Sequence, residues 1–305
     1  MRLCRLAWSP YETEADRQAE REALGRRVQL VEPGTDAEIL VAPSNVRVDA
    51  ACLSAYPSAR VVQTTTSGFD HVDLEAAGRA GLRVARLPMA RRDAVVEVSL
   101  SLVLAGLHRL GALRVAAEQG RWARAELAGL GGLNLAGARV GVIGLGVIGR
   151  RFAELCRVLG AEVLGADPQG LPEGVHPATP EGMVRSCDAL SIHASLSPGS
   201  RGLVNAELLG GARALVLVNT ARGDILDLPA ALAALDEGRL AFLGLDVFPQ
   251  EPWPEMSTAR DNPGLALFPH AAGYHRDLAR LIRQGLAESV DALLRGEAMP
   301  WELTV

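Results

Sequence analysis

Short apolar runs alternate with amphipathic segments along most of the chain. Bounded by turn-forming residues, such runs are typical of strands buried in a parallel sheet. In the first part of the chain they lie at residues 3–8, 29–31, 39–41, 61–65 and 83–85. In the rest they lie at residues 140–143, 163–166, 189–192, 214–219, 242–247 and 265–268. The second set contains as many strands as the two halves of a doubly wound sheet require.

The amphipathic segments between these runs predict helices. The longer ones lie at residues 12–27, 48–55, 70–80, 94–118 and 276–295, and shorter ones begin after Thr179, Asn205 and Asp227. These three residue types are favoured at a helix N-cap. Strands that alternate with helices predict parallel α/β units. We therefore expect a smaller, discontinuous, flavodoxin-like unit of residues 1–93 completed by residues 275–305, and a doubly wound unit of residues 94–274.

Glycines follow the strand at residues 140–143 in a spacing that suits a dinucleotide. Gly144 allows a tight turn, Gly146 lets a pyrophosphate approach the backbone, and Gly149 lets the next helix pack on the strand. This spacing also occurs in ordinary turns of α/β proteins. Here a second strand ends at Asp167, where a carboxylate can accept hydrogen bonds from the adenosine ribose. The combination predicts a Rossmann-type site, and the charge of Asp167 favours NAD over NADP.

Composition narrows the classes of function. The chain has 305 residues and a net charge of −5, which gives no basic surface for nucleic acid. No apolar run reaches the roughly 18 residues of a membrane span, and residues 1–8 turn polar too soon for a secretory signal. The 4 cysteines are scattered without a C-x-x-C pair, so we expect free thiols, no metal site and a reducing, cytoplasmic compartment.

All 31 basic residues are arginine. The lack of lysine excludes Schiff-base enzymes, pyridoxal-phosphate enzymes, Walker-type phosphate loops and dehydrogenases that use Tyr-x-x-x-Lys. We attribute the bias itself to genomic base composition.

Charged residues stand where three strands of the second unit end. Arg222 follows one strand and offers a planar fork to a carboxylate, although a surface arginine would look the same. Asp246 lies inside the next apolar strand, where it could simply cap a turn, and Glu251 lies in the loop beyond it. His270 follows the last strand, and a lone histidine is more often structural. Together, an arginine, a glutamate and a histidine at neighbouring strand ends form an acid–base set beside a carboxylate clamp.

With these motifs in view, the chain resembles the D-isomer-specific 2-hydroxyacid dehydrogenase family along nearly its whole length. The likeness extends to its phosphoglycerate dehydrogenases and glyoxylate/hydroxypyruvate reductases. Six segments carry the resemblance in the family's order, at residues 61–74, 140–149, 193–198, 218–223, 245–252 and 269–270. Singly these segments are moderately specific, whereas the ordered set is highly specific.

The resemblance implies roles for individual residues. Arg222 would bind the substrate carboxylate and polarise the 2-oxo group, His270 would be the acid/base, and Glu251 would be the partner of His270. The backbone of Ser67 and Gly68 would help to hold the carboxylate. Glu251 stands where the formate-oxidising branch has glutamine, which disfavours formate as a substrate.

The resemblance also implies NAD as the cofactor, a cleft between two Rossmann-like domains, and a homodimer. The first unit would be the substrate domain, and the second the dinucleotide-binding domain. The predicted cofactor contacts are Gly144, Gly146, Val147, Ile148, Gly149, Asp167, His193, Thr220, Ala221 and Asp246, with Asp246 at the nicotinamide end.

The chain departs from the family pattern at several basic residues. Arg86, Arg91 and Arg92 stand near the end of an early strand, and His275 follows His270. The arginines are either surface residues or an extra positive charge for a second anionic group, and His275 either lines the cleft or begins the last helix. Two functions remain: an NAD-dependent dehydrogenase acting on a small 2-hydroxy/2-oxo acid, or an NAD(H)-sensing binding protein of the same fold.

Overall fold

The structure is a computed structural model that describes residues 1–122, 124–125, 132–259 and 262–304. The chain divides into two compact units, one formed by Met1–Arg92 and Tyr274–Val305 and the other by Asp93–Gly273. Each unit is built around a sheet of mainly or wholly parallel strands. The predicted α/β class with two parallel-sheet units is therefore confirmed.

The first unit contains a six-stranded sheet in its described residues. Its strands are β1 (Arg2–Arg5), β2 (Gln29–Val31), β3 (Ile39–Ala42), β4 (Val61–Thr64), β5 (Arg83–Ala85) and β13 (Glu302–Leu303), in the order β13-β5-β4-β3-β1-β2. The first five strands run parallel, in the flavodoxin-like order. The antiparallel edge strand β13, which pairs with β5, was not predicted.

Helices α1 (Glu14–Gly25), α2 (Ala50–Ser54), α3 (Leu74–Arg79) and α11 (Leu278–Leu294) belong to the first unit. The predicted final helix at residues 276–295 corresponds to α11. Its buried Ile282 and Leu286 join one hydrophobic cluster with Ile39 and Val41 of β3. Burial of this apolar face is what attaches the end of the chain to its beginning.

The second unit contains a seven-stranded parallel sheet in its described residues. Its strands are β6 (Arg139–Ile143), β7 (Glu162–Ala166), β8 (His176–Pro177), β9 (Ala189–Ile192), β10 (Leu215–Asn219), β11 (Leu240–Leu245) and β12 (Leu265–Leu267), in the order β12-β11-β10-β9-β6-β7-β8. This is the doubly wound order extended by β12, and the order reverses at β6. The very short β8 was missed because two residues carry no readable pattern.

Most remaining helices lie in the second unit. They are α5 (Leu110–Glu118), α6 (Val147–Val158), α7 (Pro180–Ser186), α8 (Ala206–Leu209), α9 (Leu228–Asp236) and α10 (Met256–Ala259), with a 3-10 helix at Gly223–Ile225, while α4 (Met89–Leu107) crosses the boundary between the units. Thr179, Asn205 and Asp227 accept hydrogen bonds from backbone N–H groups in the first turns of α7, α8 and α9. These residues are the N-caps that the sequence predicted.

The prediction of one helix over residues 94–118 was wrong. The segment forms α4 and α5, which are bent by 66° at a short break. Arg109 has a left-handed backbone there (φ 55°), which a continuous helix cannot contain. A Cβ atom at Gly111 would lie 1.9 Å from the carbonyl oxygen of Pro263, so α5 packs closely against another backbone segment. Apolar periodicity alone does not report such a contact.

A search of the described helices for membrane spans finds no single helix of sufficient length and apolarity. The bent pair α4 and α5 meets the length and composition criteria only when the two helices are taken together.

Candidate active site

The glycine turn lies between β6 and α6. Gly144 has a φ of 88°, and a Cβ atom there would lie 2.4 Å from the backbone nitrogen of Ala194. A Cβ atom at Gly149 would lie 1.9 Å from the carbonyl oxygen of Gly144, so only glycine allows the helix to approach the turn this closely. Gly146, the N-cap of α6, faces open space instead and leaves the first turn of the helix without a side-chain cap.

Asp167 follows β7 and is bonded to the glycine turn. Its Oδ2 accepts from the backbone N–H of Leu145 at 2.6 Å, and its Oδ1 accepts from the N–H of Gln169 at 2.7 Å. A pocket of about 470 Å³ opens beside it, lined by Gly165, Ala166, Asp167, Leu171, Pro177, Ala178 and Thr179. Each carboxylate oxygen retains acceptor capacity for a ribose hydroxyl. Asp167 therefore holds the turn in shape and still has acceptor capacity on the side of the pocket.

Arg150 is a residue near this pocket that the sequence analysis missed. Its Nε donates to the carbonyl of Leu145 at 2.6 Å, and its Nη2 donates to the carbonyl of Gly170 at 3.2 Å. It ties the glycine turn to the loop that follows Asp167. The sequence offered one signal for this role, because Arg150 directly follows the third glycine of the motif.

These residues fit an NAD molecule. The open space at Gly146 leaves room for a pyrophosphate, and the uncapped backbone N–H groups of α6 supply donors and a favourable dipole. Val147 and Ile148 form the first turn of α6 beside Gly146. The carboxylate of Asp167 and the adjoining pocket suit the adenosine end. In the described residues, no group of three or more His, Cys, Asp or Glu side chains is arranged to hold a metal ion.

His193 follows β9 and is held in a neutral form. Burial lowers the pKa of its imidazole to about 3. Its Nε2 lies 2.9 Å from the hydroxyl of Ser191, and its ring is tilted against Phe152 with centroids 4.8 Å apart. The charge of His193 is therefore not available for phosphate binding at neutral pH, so a cofactor contact from this residue would come from its backbone or a neutral ring.

The end of β10 forms a tight turn that presents Arg222. The buried Asn219 accepts from the N–H of Ala221 at 3.0 Å and donates from Nδ2 to the carbonyl of Arg222 at 2.9 Å. The hydroxyl of Thr220 lies 2.8 Å from that of Ser99 on α4. A Cβ atom at Gly223 would lie 2.0 Å from the carbonyl carbon of Phe248, which brings this turn against the loop after β11.

Asp246, at the end of β11, fixes the backbone around His270. Its buried carboxylate accepts from the N–H of Ala271 at 2.7 Å and of Ala272 at 3.0 Å. Its carbonyl accepts from the N–H of His270 at 2.8 Å. Burial raises the pKa of the Asp246 carboxyl group, against the lowering effect of those two N–H bonds. His270 has a positive φ of 51°, and these bonds hold it in that uncommon conformation.

His270 and Glu251 form a direct pair. The Nδ1 atom of His270 lies 2.7 Å from Oε2 of Glu251, and Oε1 of Glu251 accepts from the N–H of Phe248 at 3.0 Å. Burial opposes ionisation of Glu251, yet the hydrogen bonds from His270 and Phe248 and the charges of His270 and Arg222 keep the carboxyl pKa below its ordinary value. Glu251 is therefore ionised at neutral pH. The side chains of His270 and Glu251 are 51% and 36% exposed, so the pair is not enclosed by the protein.

Ser67 and Gly68 lie in the first unit, in the loop after β4. The hydroxyl of Ser67 donates to the carbonyl of Pro88 at 3.4 Å, and the carbonyl of Gly68 accepts from the hydroxyl of Thr66 at 2.7 Å. His275 lies in the same unit, just before α11. Its Nε2 is 3.0 Å from the carbonyl of Ala90 in α4, so this histidine joins the start of the last helix to α4.

A doubly wound sheet with an open glycine turn and a carboxylate at the end of the next strand is typical of a Rossmann-type dinucleotide-binding protein. Residues 100–272 match the family model described as D-isomer specific 2-hydroxyacid dehydrogenase, NAD binding domain. The chain belongs to this family of NAD-dependent dehydrogenases, and NAD is the cofactor of the matched domain. The family resemblance seen in the sequence is thereby confirmed.

Individual relatives extend the match beyond that domain. A glyoxylate reductase from Aeropyrum pernix is 31% identical over 281 residues, which cover 89% of this chain and 84% of that protein. A D-3-phosphoglycerate dehydrogenase from Methanocaldococcus jannaschii is 29% identical over 282 residues, which cover 88% of this chain but only 52% of that protein, so the chain spans about half its length. Among solved structures, a protein from Thermus thermophilus has 27% sequence identity to this chain. Its crystal structure superposes with a TM-score of 0.82, and the match covers 100% of both chains.

Proposed function

We propose that the chain reduces a small 2-oxo acid to a D-2-hydroxy acid with NADH, or catalyses the reverse oxidation with NAD. The substrate would be of the glyoxylate, hydroxypyruvate or phosphoglycerate type. The contact that carries the proposal is the 2.7 Å pair of His270 with an ionised Glu251, with the charge of Arg222 close enough to act on Glu251. The relatives named as glyoxylate reductase and phosphoglycerate dehydrogenase support this choice of substrates.

Each residue of this set has a distinct task in the reaction. Hydride transfer to carbon 2 of the substrate is the chemistry that bound NADH supplies. His270 gives its proton to the developing alkoxide, and Glu251 stabilises the protonated imidazole through Nδ1. Arg222 binds the substrate carboxylate through its planar fork and polarises the 2-oxo group. A fixed guanidinium at the developing negative charge lowers the barrier because it needs no rearrangement during the reaction.

We assign the second unit to the cofactor and the first to the substrate. Gly144, Gly146, Gly149 and Asp167 would hold the dinucleotide, and Ser67 with Gly68 would add backbone contacts to the substrate carboxylate. The remaining proposed cofactor contacts are Val147, Ile148, His193, Thr220, Ala221 and Asp246. Asp246 would act chiefly by positioning His270, because its carboxylate is already bonded to two backbone N–H groups.

The rival function is NAD(H) sensing without turnover, which could use the same residues. The test is oxidation of NADH on mixing with glyoxylate, hydroxypyruvate, pyruvate and phosphohydroxypyruvate, with Arg222→Lys and His270→Ala as controls. We expect turnover with at least one acid and its loss in both variants. Binding of NADH without turnover of any acid would favour the sensing function.

We further propose that the protein is a cytoplasmic homodimer that binds neither nucleic acid nor membranes. Trp122 is 90% exposed, and Leu110 and Leu113 on α5 are 49% and 37% exposed. Leu110 and Leu113 are three residues apart on α5 and so share a helix face, and apolar side chains exposed together are typical of protein contacts. Light scattering should give a molecular mass twice the chain mass of 32.2 kDa. The Trp122→Arg variant should have a measured mass closer to that of a single chain. A monomeric wild-type protein at micromolar concentration would refute the dimer.

A further inference from the structure

Two arginines of the first unit bond to the loop that follows β4. Arg86, directly after β5, donates from Nη1 to the carbonyl of Ser67 at 3.3 Å. Arg91, in the first part of α4, donates to the carbonyl of Thr65 and to the hydroxyl of Tyr11. The same loop contains the Ser67 and Gly68 backbone to which we assign the substrate carboxylate. Two positive charges therefore stand at the proposed substrate loop.

Within the described residues of their own unit, neither charge is paired with an acid. In the described part of the first unit, no carboxylate lies within the 4.0 Å salt-bridge distance of Arg86 or Arg91, and all the partners given above are uncharged. By contrast, Arg83 pairs with Glu302 at 2.6 Å, and Glu12, the acid whose charge acts on Arg91, is paired with Arg5 at 2.6 Å. Burial lowers the pKa of both guanidinium groups, as expected where positive charge is uncompensated.

Arg86 also has an unused donor. Its Nε atom is buried and has no hydrogen-bond partner among the described residues. The guanidinium carbon lies 5.8 Å from the centroid of the Phe69 ring, which restricts the orientation of the group. A buried donor without a partner is unfavourable, and more so on a charged group, so an anion held near the guanidinium would offset part of that cost through its charge.

We infer that Arg86, aided by the charge of Arg91, binds a second anionic group of the substrate. The group would be a phosphate or a second carboxylate, distal to the 2-oxo acid, because both present oxygen acceptors to a guanidinium fork. The inference rests on the proposed function, since it assigns the substrate to the Ser67 loop. It narrows the proposed substrates to those that carry two anionic groups.

The first experiment compares KM values for NADH-dependent reduction of three kinds of 2-oxo acid. Hydroxypyruvate has a neutral distal group, phosphohydroxypyruvate has a phosphate, and 2-oxoglutarate and oxaloacetate have a second carboxylate. In the wild type we expect KM for one dianionic class to be at least about tenfold below that for hydroxypyruvate. The preferred class identifies whether the group is a phosphate or a carboxylate.

The variants separate charge from shape. Arg86→Gln should raise KM for the preferred dianionic acid by about tenfold more than it raises KM for hydroxypyruvate, with little change in kcat. Arg86→Lys keeps the positive charge and should retain part of the preference. Arg79→Gln, which removes an exposed arginine paired with Glu75 on α3, is the matched control and should change neither KM.

Two kinetic outcomes would overturn the inference. Wild-type preference for hydroxypyruvate over every dianionic acid is one. Equal rises in KM for both kinds of substrate in Arg86→Gln is the other, because it would show that Arg86 only shapes the Ser67 loop. The first comparison needs no variant, so it remains decisive even if Arg86→Gln fails to fold.

Calorimetry separates failure of this inference from failure of the proposed function. Inorganic phosphate and malonate would be titrated into the NADH-loaded wild type and Arg86→Gln. If no 2-oxo acid is reduced but one of these anions binds the wild type at least about tenfold more tightly than the variant, the proposed function falls and the anion site stands. If 2-oxo acids are reduced without any preference for dianions, and anion binding does not depend on Arg86, the anion site is refuted and the proposed dehydrogenase function stands.

Discussion

At the scale of single residues, the site depends on carboxylates that do different work in different surroundings. Asp246 is buried and bonded to two backbone N–H groups, so it fixes the chain beside His270. Glu251 is more exposed and directly contacts the imidazole, so it acts on the charge of His270. Their pKa directions differ accordingly, since burial raises that of Asp246 while hydrogen bonds and positive neighbours lower that of Glu251.

The proposed carboxylate clamp is tested by Arg222→Lys. Lysine keeps the charge but cannot form two parallel bonds to a carboxylate. Loss of such a charge-assisted pair typically costs about 2–5 kcal/mol, so catalytic efficiency should fall by roughly 30-fold or more. The Kd for NADH should barely change. Arg201→Lys, an exposed arginine paired with Asp224, is the control, and near-normal efficiency in Arg222→Lys would show that Arg222 is not the clamp.

The proposed partner of the acid/base is tested by Glu251→Gln. Because the pKa of Glu251 is held low, its charge persists through neutral pH and favours protonated His270. Reduction needs the protonated imidazole, so as pH rises the rate of reduction should begin to fall at a lower pH in the variant than in the wild type. At pH 8 the variant should be slower by about tenfold, which is part of the ~10²–10⁴-fold that a general acid supplies. Oxidation at low pH should be relatively spared.

The measurement is the pH profile of catalytic efficiency in both directions. Glu154→Gln removes an exposed carboxylate from the same unit and should leave both profiles unchanged. Profiles of wild type and Glu251→Gln that superimpose after scaling would show that Glu251 does not tune His270.

Cofactor preference is tested at Asp167. Its carboxylate should favour NADH by accepting from the ribose and repelling a 2′-phosphate, so Asp167→Ala should weaken NADH binding by about tenfold and narrow the preference over NADPH. Asp167→Asn, which keeps one acceptor without the charge, should narrow the preference with less effect on turn geometry. A wild-type protein that binds NADPH more tightly than NADH would contradict the assignment.

At the scale of elements, one strand–turn–helix unit brings the cofactor groups together. A Cβ atom at Gly144 or Gly149 would lie only 2.4 Å or 1.9 Å from a neighbouring backbone atom, so both positions require glycine. Gly146 faces open space instead. The three glycines therefore have different functions. Gly149 allows the helix to pack on the turn, Gly144 allows the turn to approach the backbone of Ala194, and Gly146 leaves open space that we assign to the ligand.

This difference predicts opposite results for two substitutions. Gly149→Ala should lower the free energy of unfolding by about 1–3 kcal/mol through overpacking, visible as a lower Tm. Gly146→Ala should leave Tm within about 2 °C but weaken NADH binding by at least about tenfold, because its methyl group occupies the space proposed for the pyrophosphate. Equal effects of both variants on Tm would contradict this division of roles.

At the scale of the whole molecule, the proposed tasks are divided between two units. Asp93–Gly273 contains every proposed cofactor residue together with Arg222, Glu251 and His270. Ser67, Gly68 and Arg86 belong to the other unit. Each unit has its own hydrophobic clusters, as a domain requires for independent folding.

A fragment of residues 89–273, which keeps α4 complete, tests this division. We expect it to fold, to bind NADH within about tenfold of the intact chain, and to lack turnover because Ser67 and Gly68 are missing. Circular dichroism, NADH fluorescence titration and an activity assay measure the three properties. A folded fragment that does not bind NADH would show that the cofactor site needs the other unit.

The sequence by itself determined the features that depend on short-range pattern. Apolar runs predicted the strands of both sheets except the two-residue β8 and β13. Thr179, Asn205 and Asp227 predicted helix starts, and the glycine spacing predicted the turn. Placement of Arg222 and His270 at strand ends followed from the same pattern. These features could be predicted because a strand, a cap or a turn is set by residues within a few positions of one another.

Only the tertiary structure decided the contacts between distant residues. The bond from Leu145 to Asp167, the break between α4 and α5, and the approach of Gly223 to Phe248 each depend on where a remote segment packs. That no acid in the described part of the first unit pairs with Arg86 is of the same kind, since the pattern of the chain could not distinguish a surface arginine from an uncompensated one. Close packing fixes such contacts over long sequence separations, and local propensity carries no record of them.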